Sequence, residues 1–181
     1  MRIAFLMMPA ALLAIGCNTE AAKPKADGAA DKAAADAGPD TAALERFLLK
    51  AEPAGKVREV KDVRDNAADG EEVLVAGRVQ DFVGDRAMFV LIDASLTPCN
   101  EKEGDTCRTP WDYCCDPPEV RKSHKFAVKL ADATGAVIKT PLKGTLHHLD
   151  KVVVRGRIAK TADGNVTLAA AGIFNKGGGL K

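Results

Sequence analysis

The chain has 181 residues, 26 Lys and Arg against 25 Asp and Glu, and a formal net charge of +1. A length of this order holds one domain with appendages. The balanced charge speaks against a general nucleic-acid binder, which carries a basic face; acids and bases are interspersed here, as in "VREVKDVRD" at 57–65, the mark of a solvated surface.

The chain opens on "MRIAFLMMPAALLAIGC": one positive charge at Arg2, an apolar run from Ile3 to Ile15, then Gly16 and Cys17. The run is shorter than the ~20 apolar residues that a membrane-spanning helix needs, and its length suits a secretory signal. Its end, "LLAIGC", resembles a bacterial lipobox, with Ala14 where that pattern most often has Leu. The resemblance implies a signal peptide over 1–16, lipidation of Cys17, and anchoring to a membrane by acyl chains. Asn18, in place of the Asp that retains lipoproteins at the inner membrane, points to the outer membrane facing the periplasm. The plainer alternative is an ordinary signal peptide with an incidental cysteine.

Residues 17–40 are Ala, Lys, Asp, Gly and Pro for the most part, and from Asn18 on they lack Leu, Ile, Val and aromatic residues. Such a segment buries too little apolar surface to offset its conformational entropy, so it is expected to be a flexible tether. In "TAALERFLLKAEPAG" Leu44, Phe47 and Leu48 share a helical face, with Thr41 placed to cap the start and Pro53 to stop the end. This predicts a short helix and connection over 41–56.

From Val57 the pattern changes to strands. "EEVLVAGRV" puts Val73, Val75 and Val79 on one face, "AMFVLID" is an apolar run ending in Asp93, and "HKFAVKLAD" alternates Phe126, Val128 and Leu130 with lysines. "KVVVRGRI" and "NVTLAAAGIF" complete five strands, separated by turn signals at Asp69-Gly70, Gly84-Asp85, Thr134-Gly135 and Asp163-Gly164. The first and fourth strands echo each other, each with an internal glycine, Gly77 and Gly156. Glycine within a strand marks a bulge or a sharp bend, which predicts a small, strongly coiled all-β barrel. Gly177–Gly179 follow the last strand and predict a frayed tail over 178–181.

This order of strands resembles the oligonucleotide/oligosaccharide-binding (OB) fold over roughly 57–177, and in particular small exported bacterial OB-fold proteins. The motifs that carry the resemblance are a glycine in the first strand, Asp93 at the end of the second, the turn Asp132-Ala133-Thr134-Gly135, and the "VVVRGRI" strand. They are loose patterns that speak for fold far more than for function. The resemblance implies a ligand face on the second and third strands and the loops beside them. That places Phe82, Arg86, Phe89, Lys125 and Phe126 as ligand-binding candidates.

The sequence departs from the OB pattern between the second and third strands, where Ala94 to Ser123 form a long insertion. A connection of that length in a compact domain signals function or a dedicated stabiliser. It contains Cys99, Cys107, Cys114 and Cys115, the single Trp (Trp111) and the single Tyr (Tyr113). In an exported chain four cysteines read first as two disulfides. A direct Cys114–Cys115 bond is strained, so each is expected to pair back, one to Cys99 and one to Cys107, closing loops worth roughly 2–3 kcal/mol apiece in the chain-entropy model. The second reading is a thiolate metal site on the same four cysteines, with His124, His147 and His148 as further nitrogen donors; a vicinal redox pair is a third. Asp112, between the two aromatics, reads either as an acid in a ligand site or as a turn residue of "TPWD". Trp111, Tyr113 and Asp112 join the candidate ligand contacts, or the two rings cover the core.

No nucleophile elbow, phosphate-binding glycine loop or zincin motif is present in the sequence, so no enzyme and no cofactor is expected. The expected partners are a membrane, through Cys17, and an unknown envelope ligand: a saccharide, peptide or protein ahead of nucleic acid. A structural envelope lipoprotein is the alternative.

Overall fold

Valines at alternate positions, Val73, Val75 and, past Gly77, Val79, all buried, make Glu72–Phe82 the organising strand of the molecule. The computed structural model describes residues 41–180. The expected signal peptide, Cys17 and the tether lie outside the described residues. The elements in chain order are α1 (Thr41–Glu45), β1 (Val57–Glu59), α2 (Val60–Asn66), β2 (Glu72–Phe82), β3 (Met88–Ile92), α3 (Pro118–Ser123), β4 (Lys125–Lys129), β5 (Lys151–Lys160) and β6 (Val166–Gly177).

β2 is long enough to serve several neighbours. Its first half pairs antiparallel with β5, from Glu72 opposite Arg157 to Arg78 opposite Lys151, and its second half pairs antiparallel with β3. β3 continues to β4, β4 pairs parallel with β6, and β6 pairs antiparallel with β5. The pairings therefore close a ring of β2, β3, β4, β6 and β5. The five expected strands are these. A sixth, β1, runs parallel to β2 with Val57 opposite Leu74. The sheet is thus six-stranded, one more strand than the hydrophobic pattern predicts.

The inward residues form one continuous core. Val75, Val79, Phe89, Leu91, Val128 and Leu168 are fully buried, and burial of such side chains contributes roughly 1.5–3 kcal/mol each. The two strand glycines are there because a neighbouring backbone comes too close for a side chain. A Cβ on Gly77 would stand 2.6 Å from the Ile92 carbonyl oxygen, and one on Gly156 would collide with that of Ala169. Gly156 also lies where the β5–β6 register shifts, as expected of a bend.

Three local expectations need correction. The first helix ends at Glu45, not near Pro53. Beyond it the chain runs alongside β6: Leu49 N–H donates to the Ile173 carbonyl at 2.8 Å, and Ile173 N–H to that of Phe47 at 2.6 Å. Leu44 and Phe47 are buried, while Leu48 turns outward. Secondly, "VKDVRDN" is helical, not extended, because Val60, Val63 and Ala67 recur at helical spacing and are all buried. Buried Asp93 accepts from Lys61 N–H at 2.9 Å and caps this helix from across the fold. Thirdly, the terminal glycines do not fray. Gly179 N–H donates to Asp150 Oδ1 at 3.0 Å, and Leu180 N–H donates to the His148 carbonyl at 2.7 Å.

Candidate ligand-binding shelf and cysteine insertion

The insertion is built from turns, and hydrogen bonds zip those turns together. Cys99–Glu101 forms a 3-10 turn. Cys99 N–H donates to the Asp112 carbonyl and Asn100 N–H to that of Pro110, both at 2.8 Å. Asp112 N–H closes the "TPWD" turn on the Thr109 carbonyl at 2.8 Å. Pro118 then opens α3, where a missing N–H is harmless. Two ion pairs hold the insertion in place: Arg78 of β2 to Glu101 at 2.6 Å, and Lys102 to Asp116 at 3.1 Å.

Tyr113 anchors it. The ring is fully buried in a second, smaller core with Ile92 and Leu149, against which Leu96, Trp111 and Leu180 pack. Its hydroxyl finds no hydrogen-bond partner, and burial pushes the phenol above its ordinary pKa.

Trp111 is only partly buried. Its indole stacks on the His148 imidazole, centroids 4.3 Å apart and planes 21° from parallel. Phe82, the last residue of β2, meets the same imidazole edge-on at 5.1 Å. His148 is oriented by its Nδ1–H, which donates to the Gln80 carbonyl at 2.7 Å. The neighbouring Leu149 holds a left-handed backbone, φ 66°, with its N–H on the Val79 carbonyl at 2.7 Å. A non-glycine residue in that region costs roughly 1–2 kcal/mol; the strain lies next to the imidazole that joins the three rings.

Trp111 separates two hollows. One, of about 310 Å³, is apolar with a basic rim: Phe82, Leu146, His148 and Leu180 beside Lys143 and His147. The other, of about 140 Å³, is polar and lined by Gln80, Asp81, Thr109 and Asp112. Gln80 Nε2 donates to Asp112 Oδ1 at 3.2 Å, while its buried Oε1 has no partner. A larger cleft, of about 610 Å³, lies among Arg58, Glu71, Glu72 and Arg155. Of its charges, Arg58 pairs with Glu71 at 2.9 Å and Arg155 with Glu72 at 2.8 Å, while Lys56 also lines the cleft.

The sequence candidates therefore divide. Trp111, Asp112 and Phe82 come together at one site. Phe89, Phe126 and Tyr113 are core residues, buried away from solvent. Arg86 is exposed in the β2–β3 hairpin. Lys125 lines a separate hollow with Arg64, Val90 and Asn165. His148 and Gln80 are the site residues that sequence reasoning missed as such; the pair "HH" in "LHHLD" was a visible signal, but its aromatic partners lie far away in the chain.

The cysteines depart from the expected pairing. Among the described residues all four are free thiols, and none is bonded to another. Cys114 Sγ stands 3.3 Å from Cys99 Sγ and 3.5 Å from Cys107 Sγ, since the two zipped turns bring all three to a common centre. Contacts with Cys99, then with Cys107, together with burial, push the Cys114 thiol up to about 12. Cys107 is shifted the other way, first by the Thr109 side-chain hydroxyl 3.5 Å away and then by the Thr109 N–H.

No family model matches the chain, and no curated protein does. Among solved structures it is similar to the hypothetical protein ygiW from E. coli, at 18% identity over 68% of this chain and 92% of that one, TM-score 0.37. It is also similar to two OBodies bound to hen egg-white lysozyme. AM1L10 is 15% identical over 70% of this chain and 96% of that one, TM-score 0.39; AM2EP06 is 17% identical over 70% and 98%, TM-score 0.39. These are distant likenesses, and what those proteins bind stays with them.

Proposed function

We propose that the chain is a non-catalytic OB-type barrel, tethered to a membrane through Cys17, whose Phe82–His148–Trp111 shelf takes a saccharide. The observation that carries this reading is the position of Trp111, a partly exposed indole held between an apolar and a polar hollow. Sugars present an apolar face of C–H groups and a rim of hydroxyls. An aromatic platform supports the first, and planar polar side chains meet the second. Gln80 Oε1, buried and unpartnered, can accept from a hydroxyl, and Asp112 and Asp81 supply further acceptors beside it. Ligand sites of this kind combine apolar walls with a few placed polar groups. The ring supplies the rigid frame, and the insertion supplies the platform.

Calorimetric titration with a panel of envelope oligosaccharides and peptides tests the reading. Saturable saccharide binding is expected, weakened at least tenfold in Phe82→Ala and in Gln80→Leu. Absence of binding across the panel, or binding indifferent to both substitutions, returns the molecule to the scaffold reading. Retained binding of short oligonucleotides at physiological salt would reassign the ligand class.

A further inference from the structure

The cysteine cluster has no part in the shelf. We propose that Cys99, Cys107, Cys114 and Cys115 form a tetrathiolate site for a thiophilic divalent cation, Zn²⁺ in the first instance. Cys99, Cys114 and Cys115 place their sulfurs within 4.8 Å of one another, and Cys99 and Cys107 do the same together with an Asp105 carboxylate oxygen. Around one zinc with Zn–S bonds of ~2.3 Å, tetrahedral geometry sets sulfurs about 3.8 Å apart. Sulfurs in a disulfide lie ~2.05 Å apart. The observed separations of 3.3 and 3.5 Å are those of free thiols in contact, far longer than a disulfide bond and a few tenths of an ångström inside that tetrahedral edge.

The two groups share Cys99, and Cys114 lies between Cys99 and Cys107, so the four cysteines gather around a common buried thiol. The segment also needs a staple: no residue from Asn100 to Pro110 is buried, so packing does not hold it. Metal binding supplies folding free energy in such segments. Cys114 and Cys115 are exposed and give an ion a path from solvent. On binding, each thiol releases its proton to water, and four thiolates around Zn²⁺ leave a net charge of −2. No histidine joins either group of candidate ligands among the described residues.

The test uses the full chain, purified anaerobically with reductant and dialysed. Elemental analysis is expected to give one zinc per chain, unchanged in Cys17→Ser. Replacement by Co²⁺ is expected to give an intense thiolate-to-cobalt charge-transfer band. Substituting outer-shell partners already costs 10–100-fold in affinity, so Cys99→Ser and Cys114→Ser are each expected to cost at least about 100-fold. Far-ultraviolet circular dichroism of the same variants checks that the ring remains folded. Three results would overturn the site: no metal uptake by the reduced chain, uptake that survives Cys99→Ser combined with Cys114→Ser, or alkylation mass spectrometry showing two disulfides formed in the presence of one equivalent of Zn²⁺. None of these readouts depends on saccharide binding.

Discussion

The ring and the insertion solve the same problem by different means. In the ring, strands exchange backbone hydrogen bonds and bury a valine-rich interior, so order comes from many equivalent contacts. In the insertion a few contacts do the holding: one buried tyrosine, two ion pairs, a pair of zipped turns and a thiol cluster. Order that rests on few contacts can be removed locally. The candidate site lies where the two regions meet: the ring fixes Phe82 and Gln80, and the insertion brings Trp111 to them.

The largest effect belongs to the ring. Phe89→Ala is expected to lower global stability by ~3–5 kcal/mol, measured by denaturant unfolding. Tyr113→Ala removes a side chain of similar size and is expected to act differently. Hydrogen exchange across 94–123 should rise while amides of β2 and β5 stay protected; uniform loss of protection would show that the two regions are one cooperative unit. Asp93→Asn comes next, because Asp93 joins the ring to α2. Burial drives its pKa up, but the Lys61 and Ser95 N–H donors outweigh this and hold it below the ordinary carboxylate value. Its contribution is therefore complete above the unfolded pKa of ~3.9 and is lost as the pH falls through the folded value. The variant should be ~1–3 kcal/mol less stable near neutral pH and should converge with the parent in acid.

Smaller effects sharpen the picture of the insertion. Tyr113→Phe deletes a buried hydroxyl that has no partner, and is expected to raise stability by about 1 kcal/mol in thermal unfolding. Glu101→Gln weakens the ion pair to Arg78, whose glutamate is half exposed. A cost of only ~0.2–1 kcal/mol is expected, shrinking in high salt.

The legibility of these regions in the sequence follows the same division. Val73, Val75 and Val79 announce β2 because one solvated face and one buried face force a period of two. Gly77 and Gly156 were informative for the same reason, since a close backbone excludes a side chain. α2 was hidden because "VREVKDVRD" presents its valines every third residue within a short, highly charged stretch. The parallel pairing of β1 has no local signal at all. In the insertion, composition revealed that cysteines and aromatics were concentrated, but not who meets whom. The stacking of Trp111 on His148 depends on β2, the segment before β5 and the docked C-terminus together. The cysteine geometry depends on two turns meeting backbone to backbone, which spacing alone does not encode.

Fluorescence quenching of Trp111, the single tryptophan, reads whether the shelf is open to solvent and to ligand. Acrylamide is expected to quench the free native protein, and a bound saccharide is expected to protect the indole, with the protection lost in Phe82→Ala. A native protein whose tryptophan is already shielded from acrylamide, or whose quenching no ligand changes, would make Trp111 a cover of the core and not a ligand contact.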